Sequence, residues 1–575
     1  MSRSAWRAAV LLPLLWGALA AQAGAQGGPP AFTELTGTAG CVAAFSTTDE
    51  SCRLAGGLER ARSLTLSPDD RFVYVASGGG LTLGSNGIAT FSRDAGTGAL
   101  EPAGCITATG GDGRPGSEGA CARGDALLGA GDVAISADGA RAYVAATGSN
   151  GLSYFDRDGD TGALTQAGCV KEVKRQDRCD QAPPLVGASE VAVSPDGHDV
   201  YLAATTDGAI HAFRRDAETG ALGSVQCVSE TGSDGLCDPV PGLRDVRDVV
   251  MSPAGDAVYA AGLDGVVAAF SRDAETGELT AAGCLLQDAP DKGPCKAGAG
   301  LTGAADVAVS PDGRDVYVAG GDDHGTVASF RRGADGALVQ TGCVQYVEPP
   351  EEPAEDEETD EEDTGDEDAE EAQADEPQEG CTGVTGYVDA FSELVVTGDG
   401  RTVFAGGGSN VAMYRRDPAS GTLTPAGCAA GSEFTDSNCA TLGALDRYGV
   451  ASLAATADGR NLYFLSGDGA LSVLGASVTV ASSSVRAARS GRVEVALRCS
   501  RARSRACAGR VALTGTRSKQ FRVAPGARAR VTLRLGPNAR RRLARRGALR
   551  LMARASDFRH LVRPAARRVT VRRRH

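Results

Sequence analysis

The sequence predicts an all-β protein, a seven-bladed β-propeller followed by a small C-terminal basic β-sandwich. The first observation is a unit that repeats every ~60 residues, a period typical of propellers and other repeat folds. The second is a pair of cysteines in each unit, which indicates a disulfide framework and an oxidising compartment. The predicted pairs are Cys41–Cys52, Cys105–Cys121, Cys169–Cys179, Cys227–Cys237, Cys284–Cys295, Cys343–Cys381 and Cys428–Cys439, with an eighth pair, Cys499–Cys507, in the C-terminal domain.

Each unit contains signals for four short strands. A first apolar strand ends in a turn such as Ser310-Pro-Asp-Gly313, where Pro presets φ and Gly accepts a positive φ. Asp315–Ala319 and Val327–Phe330 give the second and third strands of this unit. An Arg-Asp-Ala-Glu-Thr-Gly hairpin signal, as in Arg272–Gly277, then leads to a fourth strand that ends at a cysteine. Seven Ser-Pro-Asp-Gly-like turns predict seven blades.

The two ends of the repeat region predict how the ring closes. The last unit runs through Leu471–Leu474 and lacks a fourth strand of its own. The segment Phe32–Cys41 resembles the fourth-strand segment Gly421–Cys428. We therefore predict that the N-terminal strand completes the last blade, which removes the unpaired sheet edges of an open ring.

The repeated Ser-Pro-Asp-Gly-x-x-Val-Tyr-Val-Ala, followed by Phe-x-Arg-Asp-x-x-Thr-Gly-x-Leu, resembles the lactonase-type seven-bladed propellers and the related YVTN-repeat surface proteins. The resemblance extends over residues 32–476. It implies the propeller fold, and the family includes enzymes that open sugar lactones as well as proteins without an assigned reaction. This chain departs from the cytosolic lactonases in its N-terminal leader and in its cysteine pairs.

The N-terminus has the pattern of a secretory signal peptide over residues 1–25. Arg3 and Arg7 precede the apolar run Ala8–Ala20, and small residues follow at Ala21–Ala25. A membrane anchor is the alternative, but the run is short for a span of about 20 residues. The predicted organisation is a signal peptide at 1–25, a propeller at 31–476 and an Ig-like sandwich at 477–575, in a secreted or cell-envelope protein.

Two segments have extreme charge. Residues 348–379 contain 19 acidic residues and no basic ones, and lie between Cys343 and Cys381. Such a tract cannot bury apolar area, so we expect an acidic disordered insertion. It is interpreted as a solvated insertion without a specific role, with cation binding or partner binding as alternatives.

The C-terminal residues 477–575 contain 28 Arg and Lys residues against two acidic ones. Apolar and polar residues alternate in Arg492–Arg498, Arg528–Leu535 and Arg568–Arg572, which predicts half-buried antiparallel strands. Asn538–Arg546 is a candidate helix. The predicted partner is an anionic cell-wall polymer or a membrane surface, with the chain's own acidic tract as an alternative; nucleic acid is disfavoured by the leader. A monomer is expected.

One candidate site emerges from the repeat. The residue that opens the first strand of a unit is acidic in five units and serine in the first and last, at Ser63 and Ser452. Equivalent positions converge in a closed ring, so carboxylates meet at one mouth of the central channel. These five candidate metal ligands are Asp132, Glu190, Asp248, Asp306 and Glu393.

Carboxylates of this kind suit Ca²⁺ or Mg²⁺, and a bound cation could polarise a lactone carbonyl and activate water. The alternative is structural, in which each carboxylate accepts backbone N–H bonds from the neighbouring blade. Only five histidines are present and no Gly-x-Ser-x-Gly motif occurs, which argues against a Ser-His-Asp triad, so no catalytic residue is assigned.

The favoured function at this stage is a cell-envelope binding or scaffold protein whose ligand lies on the rim that carries the cysteine loops. The alternative is a lactonase-like hydrolase with a divalent cation in the central channel.

Overall fold

The computed structural model describes residues 41–573 except 46–51, 80–84, 96, 115, 173–177, 183–184, 291–292, 322–323, 348–376, 386–387, 432–438, 442–444, 446–448, 460, 476–477, 481–483, 489, 500–506, 515, 525–526, 547 and 558–564. The predicted signal peptide and nearly all of the acidic tract lie outside the described residues. No helix in the described part of the chain has the length and apolar character needed to cross a membrane.

Seven five-stranded sheets form the propeller, and each sheet is one blade. The chain begins with β1 (Cys41–Ala43) and β2 (Arg53–Leu54). Blade one contains β3 (Ala61–Leu66), β4 (Phe72–Ser77), β5 (Gly87–Arg93), β6 (Leu100–Thr107) and β7 (Ala122–Arg123). Blade two contains β8 (Ala130–Ile135), β9 (Arg141–Ala146), β10 (Gly151–Arg157), β11 (Leu164–Lys171) and β12 (Asp180–Gln181). Blade three contains β13 (Ala188–Val193), β14 (Asp199–Ala204), β15 (Ala209–Arg215), β16 (Leu222–Ser229) and β17 (Asp238–Pro239).

The remaining blades repeat this pattern. Blade four contains β18 (Val246–Met251), β19 (Ala257–Gly262), β20 (Val266–Arg272), β21 (Leu279–Leu286) and β22 (Lys296–Ala297). Blade five contains β23 (Asp306–Val309), β24 (Asp315–Gly320), β25 (Thr326–Arg332), β26 (Leu338–Val347) and β27 (Thr382–Thr385). Blade six contains β28 (Glu393–Val396), β29 (Thr402–Gly407), β30 (Asn410–Arg416), β31 (Leu423–Ala430) and β32 (Ala440–Thr441). Blade seven is built from β33 (Val450–Ala455), β34 (Asn461–Ser466) and β35 (Ala470–Gly475), with β1 and β2 added at its edge.

The ring closes as predicted. β1 pairs antiparallel with β35, with Cys41 opposite Ser472, so the N-terminal strand completes blade seven. The first strands contact one another in a closed cycle, and β33 of the last blade packs against β3 of the first. The part of the predicted closing strand that precedes Cys41 lies outside the described residues.

Each blade has one strand more than the four that were predicted. After the fourth strand the chain turns and returns as a short strand that pairs with it in parallel, as Val170 pairs with Asp180 in blade two. The disulfide Cys169–Cys179 lies beside this pairing. The bond therefore fastens the connecting loop to the outer edge of its own blade.

All seven predicted propeller disulfides are formed. Cys499 is also disulfide-bonded. The side chain of its predicted partner, Cys507, lies outside the described residues. A disulfide framework of this density is typical of extracellular and periplasmic proteins.

A lattice of repeated hydrogen bonds links neighbouring blades at five of the seven junctions and explains the Tyr of the Val-Tyr-Val repeat; at the other two, the Tyr143 hydroxyl has no such partner among the described residues and Phe404 replaces the tyrosine. The Tyr74 hydroxyl of blade one donates to the carbonyl of Gly162 in the hairpin of blade two, at 2.9 Å. Arg157 of blade two donates to the same hydroxyl at 2.6 Å. Tyr463 of blade seven donates to the Gly98 carbonyl of blade one at 2.8 Å, so the lattice also crosses the closure.

Two of these junctions carry buried ion pairs in addition. Arg272 pairs with Asp199, and Arg416 pairs with Asp315, with all four side chains at most 2% exposed. Each of the two carboxylates also has a second arginine partner with a more exposed side chain, so removal of the buried arginine leaves the buried charge only partly compensated.

The C-terminal domain consists of two sheets that enclose one apolar core, as predicted for a β-sandwich. One sheet is β36 (Val478–Val480), β38 (Arg492–Cys499) and β41 (Arg528–Arg534). The other is β37 (Ser484–Ala487), β43 (Ala565–Arg573), β42 (Ala548–Asp557), β39 (Cys507–Leu513) and β40 (Lys519–Val523). The predicted helix is present as α1 (Pro537–Arg546). The expectation of antiparallel strands was wrong at one place, because β37 pairs with β43 in parallel.

Candidate functional site: the central channel

The first strands of the seven blades line a central cavity of about 1100 Å³, as the repeat predicted. Loops that join the second and third strands of blades two and three add Thr147, Asn150, Thr205 and Thr206 to its wall. The cavity is therefore not symmetric, because these hydroxyl and amide groups surround only the part of the ring near blade three.

The predicted carboxylates converge on this cavity. The five acidic residues line it together with the two serines of blades one and seven. They occupy one register position, since Asp132 lies opposite Ala145, Glu190 opposite Ala203 and Asp248 opposite Ala261. Because they face the channel, their side chains are only half-buried.

Four of the five carboxylates hold neighbouring blades together, which is the structural alternative. The Val191 N–H donates to Asp132 Oδ2 at 3.1 Å, and the Val307 N–H donates to Asp248 Oδ2 at 2.8 Å. The same bond joins the Leu394 N–H to Asp306, and the Leu453 N–H to Glu393. Ser452 also follows the rule, because its hydroxyl accepts the Leu64 N–H at 3.2 Å.

Glu190 departs from this rule. The backbone N–H that its carboxylate would accept belongs to Val249, and that N–H donates instead to Asp248 Oδ1 at 2.6 Å. Among the described contacts no hydrogen bond reaches the Glu190 carboxylate. This carboxylate is thus the ring member that the architecture leaves available to a ligand or to solvent.

Burial raises the pKa of Glu190 well above its usual range, and the charges of the other four carboxylates raise it further. Burial also raises the pKa values of Asp132 and Asp248, and raises those of Asp306 and Glu393 well above the ordinary value. Asp306 shares a hydrogen bond with Asp248, which raises the pKa of Asp306 and lowers that of Asp248. The ring therefore takes up protons more readily than five exposed carboxylates would.

The same residues do not form a cation cage. Within the described parts of the chain, no group of three or more His, Cys, Asp or Glu side chains is arranged to hold a metal ion. Four of the carboxylates already use an oxygen to accept a backbone N–H. Binding of Ca²⁺ or Mg²⁺ by the five residues stays a prediction, and no chemical step below is routed through a cation.

Two arginines at the channel were not found from the sequence. Arg62 and Arg247 immediately precede ring residues in blades one and four, and both line the cavity with exposed side chains. Each is the extra residue of a β-bulge in its first strand. The equivalent residues of the other blades are small: Gly131, Ser189, Ala305, Ser392 and Ala451. The sequence signal for these two channel residues was an arginine at a repeat position that holds a small residue in the other five blades.

Residues 129–290 match the family model described as lactonase, 7-bladed beta-propeller. The matched segment spans blades two and three and the first four strands of blade four, and it contains Asp132, Glu190, Arg247 and Asp248. The resemblance to lactonase-type propellers is thereby confirmed. No curated protein matches the chain.

Several solved structures are similar at low identity. A periplasmic gluconolactonase from Pseudomonas aeruginosa is 17% identical, with 66% of this chain and 86% of that chain covered and a TM-score of 0.42. A protein from Lactobacillus plantarum is 19% identical, with 64% and 84% covered and a TM-score of 0.40. Hydrazine synthase from Kuenenia stuttgartiensis is 14% identical, with 75% and 98% covered and a TM-score of 0.43. Nothing about substrate is transferred from these proteins to this chain.

Proposed function

We propose that this protein is a lactonase-like hydrolase that opens a lactone in the central channel, with Glu190 as its acid–base residue. The observation that carries the proposal is the departure of Glu190 from the ring, since its carboxylate is not used to join two blades. The lactonase family match, which contains Glu190, supports the reaction class.

The reaction needs one group that first accepts and then returns a proton. As water attacks the lactone carbonyl carbon, the Glu190 carboxylate accepts the water proton and the carbonyl oxygen takes the negative charge. When this intermediate collapses, the ring C–O bond breaks and the leaving oxygen takes the proton from Glu190. The products are a hydroxy acid and the restored carboxylate, and a raised pKa suits a group that performs both transfers near neutral pH.

Arg62 and Arg247 supply the positive charge at this end of the channel. A guanidinium binds a carboxylate through two parallel hydrogen bonds, so these residues favour an acidic lactone and its carboxylate product. The hydroxyls of Thr147, Thr205 and Thr206 add donors for a hydroxylated substrate. The seven disulfides and the predicted leader support action outside the cytoplasm.

The test is hydrolysis of a panel of γ- and δ-lactones, some with a carboxylate group and some without. The reaction is measured by the protons that it releases. We expect turnover by the intact protein and a loss of about 10²-fold or more in kcat for Glu190→Gln. Glu393→Gln is the matched control, since it removes a ring charge at a carboxylate that is held by a backbone N–H, and we expect kcat within about threefold of the parent. No turnover on any lactone, or equal losses in the two variants, would overturn the proposal.

The scaffold role in the cell envelope, which the sequence favoured first, stays a prediction. Its support comes from the C-terminal sandwich, whose arginine-bearing face is described next.

A further inference from the structure

The outer face of the β38–β41 pair places arginines directly opposite one another. Arg492 lies opposite Arg534, and Arg498 lies opposite Arg528. Arg530 lies between these two pairs on the same face. All five side chains are exposed, while the alternate residues of both strands point into the core.

Like charges directly opposite each other on a sheet destabilise the pairing of the strands. The face offers little to offset this repulsion from within the chain. Among the described residues, this face has one ion pair, between Arg530 and Glu494. The two charged groups are 3.9 Å apart and their side chains are 79% and 59% exposed. An arrangement that costs stability in the free protein is explained if an external anion neutralises it.

A groove of about 580 Å³ provides a second, independent observation. It lies where β37 meets the β38–β41 pair and is lined by Arg486, Arg492 and Arg530 together with the hydroxyls of Ser484 and Thr532. Glu494 is the one acidic residue in this lining, so three guanidinium groups outnumber one carboxylate. Guanidinium forks and hydroxyls are the donors that phosphate oxygens accept best. The groove gives the arginine face a concave edge in which a chain can lie.

The face is poorly suited to a bilayer. Helices and sheets that settle on membranes bury apolar side chains beside their charges. The large exposed apolar residues of the described chain are Leu54, Leu236, Leu263 and Val339, and all belong to the propeller part of the sequence. The arginine face therefore fits a charged polymer better than a lipid surface.

We propose that the outer face of β38 and β41, which we call the arginine ladder (Arg492, Arg498, Arg528, Arg530 and Arg534), binds a linear polyanion with repeating phosphate charges. The polymer would run along the strands from the Arg498–Arg528 pair to the Arg492–Arg534 pair, a distance of about 20 Å for six residues of extended chain. This inference does not depend on the lactonase proposal.

Binding of short-chain inorganic polyphosphate to the full chain tests it. The ladder variant combines Arg492→Gln, Arg498→Gln, Arg528→Gln and Arg534→Gln. The control removes the same charge from α1 by Arg541→Gln, Arg542→Gln, Arg545→Gln and Arg546→Gln, all exposed. We expect the ladder variant to bind about 10²-fold more weakly at low salt and to lower the slope of log K against log salt by about three, with the control within threefold of the parent.

Equal losses of polyphosphate affinity in the two variants would show that binding depends on net charge alone, and would overturn the proposal. So would stronger binding to phosphatidylglycerol vesicles, or to single-stranded DNA of equal charge, than to polyphosphate, because the proposed ligand is a polymer without bases and the described lining offers no aromatic side chain on which bases could stack. Thermal melting checks that the ladder variant is folded. Because the substitutions relieve repulsion between arginines, the melting temperature of the ladder variant should equal or exceed that of the parent. If it melts lower, the pair Arg498→Gln with Arg528→Gln, at the end of the ladder, must show about tenfold weaker binding or the proposal fails.

Discussion

The propeller channel and the arginine ladder both concentrate like charges, but they neutralise them differently. Residues 477–575 carry a net charge near +26 and the rest of the chain one near −41. In the channel, backbone N–H groups of the next blade and added protons offset the carboxylates. On the ladder, five arginines face solvent with a single exposed carboxylate, Glu494, among them in the described residues. The difference shows that most of the ring charge is neutralised within the chain, whereas most of the ladder charge is not.

Inside the ring the same contrast recurs between Glu190 and its neighbours. Four carboxylates repeat one bond, and repetition in successive blades is what a structural device produces. Glu190 interrupts the repeat because Val249 donates to the nearer Asp248. We therefore base the proposed chemistry on the departure from the repeat and not on the repeat itself.

The largest effect is expected where a buried ion pair is broken. Arg416→Met removes the ion pair with Asp315, where both side chains are 1% exposed, and leaves Arg331 as the remaining partner of that carboxylate, so it should lower the free energy of unfolding by about 3 kcal/mol. Arg331 pairs with the same carboxylate but is 31% exposed, so Arg331→Met should cost at most about 1 kcal/mol. Urea unfolding measures both, and equal costs would show that burial does not decide the loss.

A smaller effect is expected within the ring. Asp132→Ala removes the acceptor of the Ser63 hydroxyl and of the Val191 N–H, which should cost about 1–3 kcal/mol of unfolding free energy. Glu190→Ala removes a carboxylate without such donors and should cost less, or stabilise the fold by removing repulsion. If the two variants unfold at the same urea concentration, Glu190 is as structural as the other four.

Substrate recognition should depend on Arg62 and Arg247, which occupy the bulge position that holds a small residue in the other blades. Arg247→Gln should raise KM for an acidic lactone about tenfold with kcat little changed, since it removes a charged hydrogen bond to the substrate. A neutral lactone is the control and should show unchanged KM. A drop in kcat for both substrates would instead place Arg247 in the reaction step.

The smallest effect concerns pH. A carboxyl whose pKa is raised in the fold adds stability below its unfolded pKa and loses it as pH rises through the folded pKa. Glu190→Gln should therefore melt like the parent near pH 4 and at a higher temperature than the parent above neutral pH. Melting curves between pH 4 and 8 that run parallel would contradict the raised pKa of Glu190.

The pKa of Asp196 is shifted in the opposite direction. Although burial raises it, hydrogen bonds from Ser194, the His198 N–H and Arg272 hold the pKa of Asp196 at about 2, so the stability that its charge contributes is lost as the pH falls.

Local patterns in the sequence were sufficient for the blades, the turns, the ring closure and the cysteine pairs. They did not show the fifth strand, because two residues such as Ala122–Arg123 are too few to form a period. They also did not show the lattice, since Tyr74 and Gly162 are 88 positions apart in the chain. The convergence of the carboxylates followed from the repeat. Whether the Val249 N–H donates to Asp248 or to Glu190 depends on local geometry, which the sequence pattern does not show.

The central claim is that Glu190 performs chemistry, and the pH dependence of kcat/KM for a lactone tests it most directly. With Glu190 as the base, activity of the parent should fall as the pH drops toward the ordinary Glu value of 4.5, and the fall should begin well above it. Glu190→Gln should be at most about 1% as active, with this fall absent. A variant with parent-like activity and the same acidic fall would contradict the assignment of Glu190.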